Sequence, residues 1–472
     1  MMKATDRRNE TGRLARVLAA ALPVLAALAA PAGAATNGFR GDGSGQYPDA
    51  ALPAEWSATN GFVWKVKIPS WSNASPAPAG DRLFICTEPA VLLCVSTVTG
   101  SNVWQTTNGF EQVASPEEWE QYKAQKKKAD EFGGFVRAAQ ERLNALAGLV
   151  SASTNKSQIT AAAEVIDAKL KSLCEKWEPV PLVPRYTMAP THGSNGYSSP
   201  TPVTDGRQVW ALFGNGVAAC YTVDGTRRWI KLVDHTKQGY GHSASPVLAD
   251  GKLIVAINDV HALNADTGET VWRVPSVARF GTPAVTSIGG QNVLVTANGE
   301  IIRVADGKVL ASKLAELGFN GPIVADGTAF FVNEGRVRAM KLPGEITGDT
   351  VKAEKAWETG IVGARQYASP VCCNGLVFGL NEGGMLTVLD AKTGQKVLER
   401  KLNLNGVCYT SLTLVRDRLI AFSEGGSAVV LQPDRECKEL ARHTFETVRS
   451  TPVPVGARMY IRGLTHLYCI GQ

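Results

Sequence analysis

The feature that most limits the possible folds of this chain is a sequence unit of about forty residues that recurs along most of its length. Its clearest copy runs from Ser245 to Trp272 and contains three short runs of alternating apolar residues. The turns between these runs are Asp250-Gly251, Asn258-Asp259 and Asp266-Thr267-Gly268. Turn residues at such regular spacing predict a small antiparallel sheet rather than a helix. One such sheet is too small to fold alone, so the fold must come from packing the copies together.

Each copy opens on an anchor residue, usually a proline, with an apolar strand residue about seven positions later. The eight anchors are Pro76, Pro200, Pro246, Pro283, Pro322, Pro370, Leu412 and Pro452. Successive anchors after the second lie roughly forty residues apart, which is the length of one four-stranded propeller blade. The sequence therefore predicts an all-β fold, an eight-bladed β-propeller.

A glycine followed four positions later by a tryptophan marks the end of several copies. Glycine supplies the positive φ of the tight turn that leads into the outer strand. The tryptophan is then placed to lie between adjacent blades, with its N–H free to find a partner. The residues to which we assign this structural role are Trp64, Trp104, Gly225, Trp229, Thr267, Gly268, Trp272, Thr393 and Gly394.

This pattern resembles the repeat of the pyrroloquinoline quinone (PQQ) dehydrogenases and of their non-catalytic relatives, which include the β-barrel assembly lipoprotein of outer membranes. The family pattern is Ala-x-Asp-x-x-Thr-Gly-x-x-x-Trp. It is matched by Ala262, Asn264, Thr267, Gly268 and Trp272, with Asn in place of Asp. The resemblance implies a PQQ-like β-propeller. It implies little about chemistry, because the motif residues form a turn and a contact between blades.

The N-terminal residues 1–34 have the features of a secretory signal peptide. Four arginines between positions 7 and 16 precede an apolar run over 17–30, and Ala32-Gly33-Ala34 has the form of a cleavage site. The run is too short to span a bilayer, so we predict cleavage, with no membrane anchor in the mature chain. The predicted localisation is periplasmic or otherwise extracytoplasmic.

The charge of the chain argues against nucleic acid as a partner. Lys and Arg total 49 against 43 Asp and Glu, a formal net charge of +6, and about half of this excess lies in the predicted signal peptide. A mature chain this close to neutral is not expected to bind nucleic acid or a membrane surface through charge. The sequence gives no indication of the oligomeric state.

The two ends of the repeat region complement each other. Residues 63–67 alternate like an outer strand but have no blade before them, whereas the last copy, from Ser450 to Ile470, has only three strands. We predict that the N-terminal strand completes the last blade. This arrangement closes the ring and removes two exposed sheet edges.

Between the first and second copies the pattern becomes helical. Ser115-Pro116-Glu117-Glu118 has the form of a capping box, and apolar residues then recur every three or four positions. We predict an inserted αα-hairpin whose first helix is kinked or split at Gly133-Gly134. Its apolar stripes either seal the hairpin, the interpretation we favour, or form a partner-binding arm. The predicted domains are a signal peptide (1–34), a closing strand and first blade (35–114), the helical hairpin (115–180) and the remaining blades (181–472).

The family resemblance raises the question of a cofactor, because the enzymes of the family bind PQQ with Ca²⁺ and some carry an adjacent cysteine pair against the quinone. Cys372-Cys373 is such a pair, but it lies where other copies have ordinary strand residues, so we interpret it as structural. The nine cysteines show no C-x-x-C, zinc or haem spacing. We therefore expect no cofactor and no metal; PQQ and calcium are expected only for a dehydrogenase.

The loops that lead into the first strand of each copy carry the candidate binding residues. Aromatic, histidine and arginine side chains recur there just before small residues, and in a propeller these loops meet around the central channel. They either hold an anionic or planar ligand or a peptide, or they pack against neighbouring blades. The candidates are His192, Tyr197, Tyr240, His242, Arg279, Arg365, Tyr367, Tyr409 and Arg449.

Two functions remain in view. The chain has no Walker A loop, no H-E-x-x-H and no G-x-S-x-G motif, and no residue can be assigned a catalytic role. The first function is an exported, non-catalytic PQQ-like propeller that acts as a scaffold for a protein, a peptide or a ligand. The alternative is a PQQ-dependent alcohol or sugar dehydrogenase.

Overall fold

The structure is a computed structural model that describes residues 37–51, 56, 61–152, 156–175, 184–278 and 280–471. The predicted signal peptide, residues 1–34, lies outside the described residues and stays a prediction. The described residues form eight small sheets and two α-helices. The sheets are the blades of a β-propeller, which confirms the predicted fold class.

Within each blade the strands pair antiparallel in chain order, and the blades are numbered along the chain. The strands of blades 1 to 4 are Ala77–Ala79, Arg82–Thr87, Val91–Ser96 and Asn102–Thr107; Val203–Thr204, Gln208–Leu212, Val217–Thr222 and Arg227–Leu232; Val247–Ala249, Lys252–Asn264 and Thr270–Ala278; Ala284–Ile288, Gln291–Val295, Ile301–Arg303 and Val309–Ala311. The strands of blades 5 to 8 are Ile323–Ala325, Thr328–Asn333, Arg336–Lys341 and Glu354–Gly360; Val371–Cys373, Leu376–Leu380, Met385–Asp390 and Lys396–Lys401; Thr413–Val415, Arg418–Phe422, Ser427–Leu431 and Glu439–Thr444; Val453–Val455, Arg458–Arg462, His466–Gly471 and Phe62–Lys67.

The anchor predicted for blade 2 is wrong by two residues. Val203 pairs with Trp210, in the same register that the residue after the anchor takes in blades 1 and 3. The anchor is therefore Pro202 rather than Pro200, and Val209 then follows it by the same seven positions as in those blades. The two prolines differ by one strand period, so only the register of the sheet distinguishes them.

The turn predicted at Asn258-Asp259 in blade 3 is also wrong as a break between strands. Strand structure continues from Lys252 to Asn264, and Asn258 takes a φ of 54° within it. The outer strand of this blade extends as far as Ala278, which pairs with Asn258. This pairing keeps the predicted turn inside the sheet.

The N-terminal strand closes the ring, as predicted. Phe62–Lys67 pairs antiparallel with His466–Gly471 and becomes the outer strand of blade 8. Trp64 lies opposite Cys469 at a β-bulge in this pairing. The first and last strands of the propeller are thus neighbours in one sheet, and the N-terminal strand covers the edge that His466–Gly471 would otherwise expose.

Tryptophan docking links successive blades at the outside of the ring. Each indole lies on the turn glycine of the next blade, where a Cβ added to the glycine would be only 2.5–3.0 Å from the ring. Each indole N–H donates to a backbone carbonyl of the same turn at 2.8–3.0 Å. The glycines have φ values between 73° and 99°, so they are required for both backbone conformation and space. The pairs are Trp64 on Gly100, Trp104 on Gly225, Trp229 on Gly268, Trp272 on Gly307 and Trp357 on Gly394.

Residues 37–47 form a plug that occupies the centre of the ring. Asn37 pairs with the first strand of blade 2 and donates to a carbonyl of blade 1. The buried Arg40 guanidinium donates to carbonyls of blades 6 and 7, at 2.6 and 3.3 Å. Burial lowers the pKa of Arg40 to about 10, so it remains charged at neutral pH. Gln46–Tyr47 then pairs with the first strand of blade 7.

The insertion between blades 1 and 2 contains α1 (Pro116–Ala152) and α2 (Lys156–Glu175). The predicted capping box is present, since Ser115 N–H donates to Glu118 Oε2 at 3.0 Å and Glu118 N–H to Ser115 Oγ at 3.2 Å. The predicted split at Gly133-Gly134 is wrong, because α1 is continuous through both glycines, and a kink there stays a prediction. Glycine lowers helix propensity by about 1 kcal/mol relative to alanine, yet it leaves the backbone hydrogen bonds in place.

The base of α1 packs on the propeller through an aromatic cluster. Tyr122 and Tyr186 are buried with Phe110 against Val217 of blade 2, and Trp119 borders them. These contacts fix the start of the insertion against one blade. Within the described ranges, no helix is long and apolar enough to cross a membrane.

We expect Trp64→Ala to lower the free energy of unfolding by about 3–5 kcal/mol, because it removes a buried side chain from the contact that closes the ring. Urea unfolding of the purified mature chain measures the change. Phe62→Ala is the matched control, since Phe62 lies in the same strand but is 37% exposed. An equal loss of stability in both variants would contradict the role assigned to Trp64.

Candidate binding cavity at the mouth of the central channel

Two rings of side chains surround the mouth of the central channel, and their positions follow directly from the anchors. The residue one position before each anchor forms the inner ring, and the residue three positions before forms the outer ring. The inner ring is Ser75, Thr201, Ser245, Thr282, Gly321, Ser369, Ser411 and Thr451. The outer ring is Asn73, Ser199, Ser243, Phe280, Phe319, Tyr367, Tyr409 and Arg449. All of them line one cavity of about 410 Å³.

The inner ring connects the blades by hydrogen bonds. At seven of the eight junctions the backbone N–H of one ring residue donates to the side-chain hydroxyl of the next blade's ring residue, at 2.9–3.3 Å. The exception is the junction that leads to Gly321. A Cβ there would be 2.4 Å from the Thr282 carbonyl oxygen, so no side chain fits. The floor of the cavity is therefore a nearly complete ring of hydroxyl groups.

One half of the outer ring is aromatic. The ring centroids of Phe280 and Phe319 are 5.7 Å apart and nearly parallel, Phe319 and Tyr367 are 4.9 Å apart, and Tyr367 and Tyr409 are 4.9 Å apart. We call these four side chains the aromatic arc. They come from four consecutive blades, and each is only half-buried. The arc thus presents a continuous, fixed aromatic wall to the cavity.

The other half of the outer ring is polar. Arg449 Nη2 lies 2.5 Å from Glu424 Oε1, an ion pair that is largely shielded from solvent. Asn73 donates to the Ser194 carbonyl at 2.7 Å and to Ser199 Oγ at 3.0 Å. The cavity therefore has one aromatic side and one side of amide and hydroxyl groups. On the polar side, the charge of Arg449 is neutralised by Glu424.

Two amide oxygens of the cavity wall lack partners. Asn73 Oδ1 and Asn320 Oδ1 are buried, and neither accepts a hydrogen bond from any described residue. Asn320 uses its Nδ2 to donate to two backbone carbonyls, at 3.0 and 3.2 Å, which fixes its orientation. A buried acceptor without a donor costs about 1–3 kcal/mol unless water or a ligand supplies the donor.

Most of the predicted binding residues meet at this cavity. Six of the nine candidates line it: His192, Tyr240, Arg365, Tyr367, Tyr409 and Arg449. Tyr240 is 65% exposed at the rim, and Arg365 is exposed beside Tyr367, with Nη1 3.4 Å from the phenol oxygen. That hydrogen bond, together with the nearby Glu382 charge, raises the pKa of Arg365.

Two of the candidates, Tyr197 and His242, are not found in the cavity wall, and the structure does not describe a third. Tyr197 donates its hydroxyl to the Ala189 carbonyl at 2.7 Å, within its own loop. His242 is buried below the mouth, where its Nε2 lies 3.0 Å from the Ala244 carbonyl. Arg279 lies outside the described residues. A place just before the small residues and the anchor therefore does not by itself bring a side chain into the cavity wall.

Sequence reasoning missed two contributors to the site. Phe319 is the centre of the aromatic arc, and its signal is its place three residues before the anchor Pro322, as for Tyr367 before Pro370. Glu88 lies on a turn of blade 1, and its Oε1 accepts hydrogen bonds from the loop that carries His192. Burial raises the pKa of Glu88. Its role depends on a contact between blades that the sequence does not display.

Two features expected for PQQ with calcium were a group of metal ligands and a cysteine pair facing the quinone. In the part of the chain that the structure describes, no group of three or more His, Cys, Asp or Glu side chains is arranged to hold a metal ion. Cys372 and Cys373 lie in the first strand of blade 6 and pack into the cores on its two sides rather than into the cavity. The adjacent pair is therefore an element of strand packing.

Known proteins resemble this chain in sequence and in fold. The family model for outer membrane protein assembly factor BamB matches residues 55–258 and 256–469. A BamB of Moranella endobia is 26% identical over 273 residues, which are 52% of this chain and 70% of the relative. The crystal structure of BamB from Moraxella catarrhalis superposes with a TM-score of 0.53 at 11% identity, covering 87% of this chain and 97% of that one.

The structure of an enzyme superposes equally well. A europium-containing methanol dehydrogenase gives a TM-score of 0.54 at 9% identity, covering 92% of this chain and 98% of that one. At identities this low, the structural matches show the propeller fold alone. They do not distinguish a scaffold from an enzyme.

We expect the folded protein to lose stability as the pH falls from about 6.5 to about 4, because burial lowers the pKa of His242 to about 4. The folded state holds the neutral imidazole, so the unfolded chain takes up the proton first and unfolding becomes more favourable. The full effect of one such group is about 3 kcal/mol. Thermal unfolding measured across this pH range tests the expectation.

His242→Gln should flatten this acid dependence, since Gln can donate to the Ala244 carbonyl and does not titrate. His192→Gln is the control, because His192 is exposed at the rim. If the acid slope of His242→Gln equalled that of the unaltered protein, His242 would not be the group responsible.

Proposed function

Because this chain belongs to the family of the outer membrane protein assembly factor BamB, we propose that it is a non-catalytic scaffold that binds a protein partner at the channel mouth. The single observation that carries this proposal is the aromatic arc, which comes from four consecutive blades and is half-exposed at the rim. Large aromatic side chains held in fixed positions are the residues that most often dominate binding between proteins.

The rim around the arc has the composition of a binding surface. Tyr240 and Arg365 stand exposed at the mouth, and the loop that carries Tyr240 is hydrogen-bonded to the neighbouring loop that carries His192. The His192 loop is in turn held by Glu88, and Asn195 Nδ2 donates to the Tyr240 carbonyl at 2.8 Å. Because the loops are already ordered, a partner meets a surface that needs little rearrangement.

An extracytoplasmic location completes the proposal. The arginines and the apolar run of residues 1–34 predict export. The BamB relatives are, by name, outer membrane protein assembly factors. We favour a non-catalytic scaffold over a PQQ-dependent dehydrogenase because the cysteine pair packs into the blade cores and because, among the described residues, no group of three or more His, Cys, Asp or Glu is arranged to hold a metal ion. The proposed partner is therefore a protein, and the proposed role is assembly rather than oxidation.

We expect the mature chain, exported into the periplasm of a bacterium that lacks its own BamB, to restore the amount of assembled outer membrane proteins. Tyr240→Ala combined with Arg365→Ala should reduce this restoration, because each removes an exposed anchor of the rim. Truncating such anchors typically weakens binding by about thirtyfold. Immunoblots of the outer membrane fraction measure the outcome, and equal expression of both proteins is the control.

A photo-crosslinking amino acid at position 240 then tests whether the mouth itself meets the partner. The matched control position is Val98, which is 61% exposed on a turn between the third and outer strands of blade 1. Antiparallel order places that turn on the face opposite the mouth. Crosslinks that form equally from both positions, or only from position 98, would contradict docking at the mouth.

A further inference from the structure

We propose that the cavity beneath the rim is a second binding site, and that its ligand is a neutral saccharide held without chemical change. The site consists of the hydroxyl floor, the amide oxygens of Asn73 and Asn320, and the aromatic arc. The proposal goes beyond partner binding, which shares the arc and also uses the exposed rim, whereas the floor and the amide oxygens belong to the saccharide site alone. Four properties of the cavity support it: the size, the charge, the hydrogen-bonding capacity and the aromatic wall.

The cavity has the dimensions of a small-molecule site. Its volume of about 410 Å³ falls within the range of about 300–1,000 Å³ that is typical of such sites. Phe39 of the plug lies among the lining residues, so the plug closes the channel beneath the inner ring. A ligand therefore enters from the mouth and meets a floor, which suits a compact ring or the end of a chain.

The charges at the cavity favour a neutral ligand. The two arginines that line it are Arg365 and Arg449. Arg449 is paired with Glu424 at 2.5 Å, and Arg365 lies at the exposed rim beside Tyr367, within the field of Glu382. An anionic ligand would have to compete with these carboxylates, and a cation would face the arginines.

The floor favours a ligand that is rich in hydroxyl groups. The seven hydroxyls of the inner ring each accept one backbone N–H, and none of them has an acceptor for its own proton among the described residues. The Oδ1 atoms of Asn73 and Asn320 are acceptors that lack donors. An apolar side chain placed here would displace water and leave these groups unpaired, whereas a polyol donates and accepts at every position.

The arc supplies what a sugar needs besides hydrogen bonds. A pyranose ring has a flat face of C–H groups, and an aromatic ring offers a flat apolar surface to stack against it. Phe319 is the centre of the arc, with neighbours at 5.7 and 4.9 Å on its two sides. The opposite wall, with Asn73, Ser199 and Ser243, faces the edge of the ring with amide and hydroxyl groups.

Isothermal titration calorimetry of the full mature chain tests the proposal with D-glucose, N-acetyl-D-glucosamine and maltose as neutral probes. D-glucuronate and D-glucosamine carry the two opposite charges, and N-acetyl-phenylalanine amide is a neutral aromatic probe without the polyol. We expect saturable binding of at least one neutral sugar, about tenfold tighter than either charged sugar or the amide.

Phe319→Ala should weaken sugar binding by about fivefold or more, since it removes the centre of the stacking wall. Phe62→Ala, in the outer strand of blade 8, is the matched control and should bind as the unaltered protein does. Thermal unfolding shows whether each variant is folded, and Tyr367→Ala replaces Phe319→Ala if that variant is not.

Three results would overturn the proposal: no saturable binding of any of the three neutral sugars, unchanged binding in both arc variants, or tighter binding of a charged sugar or of the amide. None of these results bears on the protein partner, because crosslinking from position 240 and restoration of outer membrane proteins do not involve a sugar. Conversely, sugar binding would persist if the chain failed to restore assembly. The two proposals therefore fail separately.

Discussion

Closure of the ring is the constraint on which the rest of this structure depends. Each blade buries its two faces only against its neighbours, so no blade is complete until the last one meets the first. At that junction two devices from the N-terminal part of the chain act together. Thr451 N–H donates to Ser75 Oγ at the inner ring, and Trp64 docks on Gly100 at the outside. The cavity exists because the inner ring is held at a fixed radius by such contacts.

The sequence predicts the parts of this arrangement that local chemistry dictates. A turn that needs positive φ favours glycine, and a tryptophan four residues later fits between blades, so the repeat predicted that Trp229 lies between blades, although not that it docks on Gly268. The choice between Pro200 and Pro202 was not visible, because both residues satisfy the same alternation and only the pairing of Val203 decides. The binding cavity shows the same difference between residues that the local sequence predicts and residues that depend on contacts distant in sequence. Tyr367 was predicted from its loop, whereas Glu88 contributes through a contact between adjacent blades whose residues are more than a hundred positions apart in sequence.

The contacts that replace a missing docking tryptophan could not be predicted from the sequence. In blade 7 the position of the docking tryptophan is Ala441, which pairs with Val430 as Trp64 pairs with Cys469. The gap between blades 7 and 8 is filled instead by Trp56, which is 3% exposed and stacks on His443 at 4.0 Å. Trp56 belongs to a segment without a repeat pattern, so its sequence context does not indicate which blades it packs against. The plug is similar, since Arg40 finds its carbonyl partners more than three hundred residues away.

The two rings at the mouth show how such a fold separates stability from specificity. The position before each anchor must supply a hydroxyl that accepts from the backbone N–H of the preceding blade, and it is Ser or Thr in every blade except where a carbonyl oxygen excludes a side chain at Gly321. The position three residues before the anchor carries no hydrogen bond that is repeated around the ring. It is therefore free to be Phe, Tyr, Arg, Asn or Ser in different blades, and it divides the cavity into an aromatic half and a polar half. An eightfold scaffold thus becomes a binding site without symmetry because the residues that face the ligand are not those that hold the ring together.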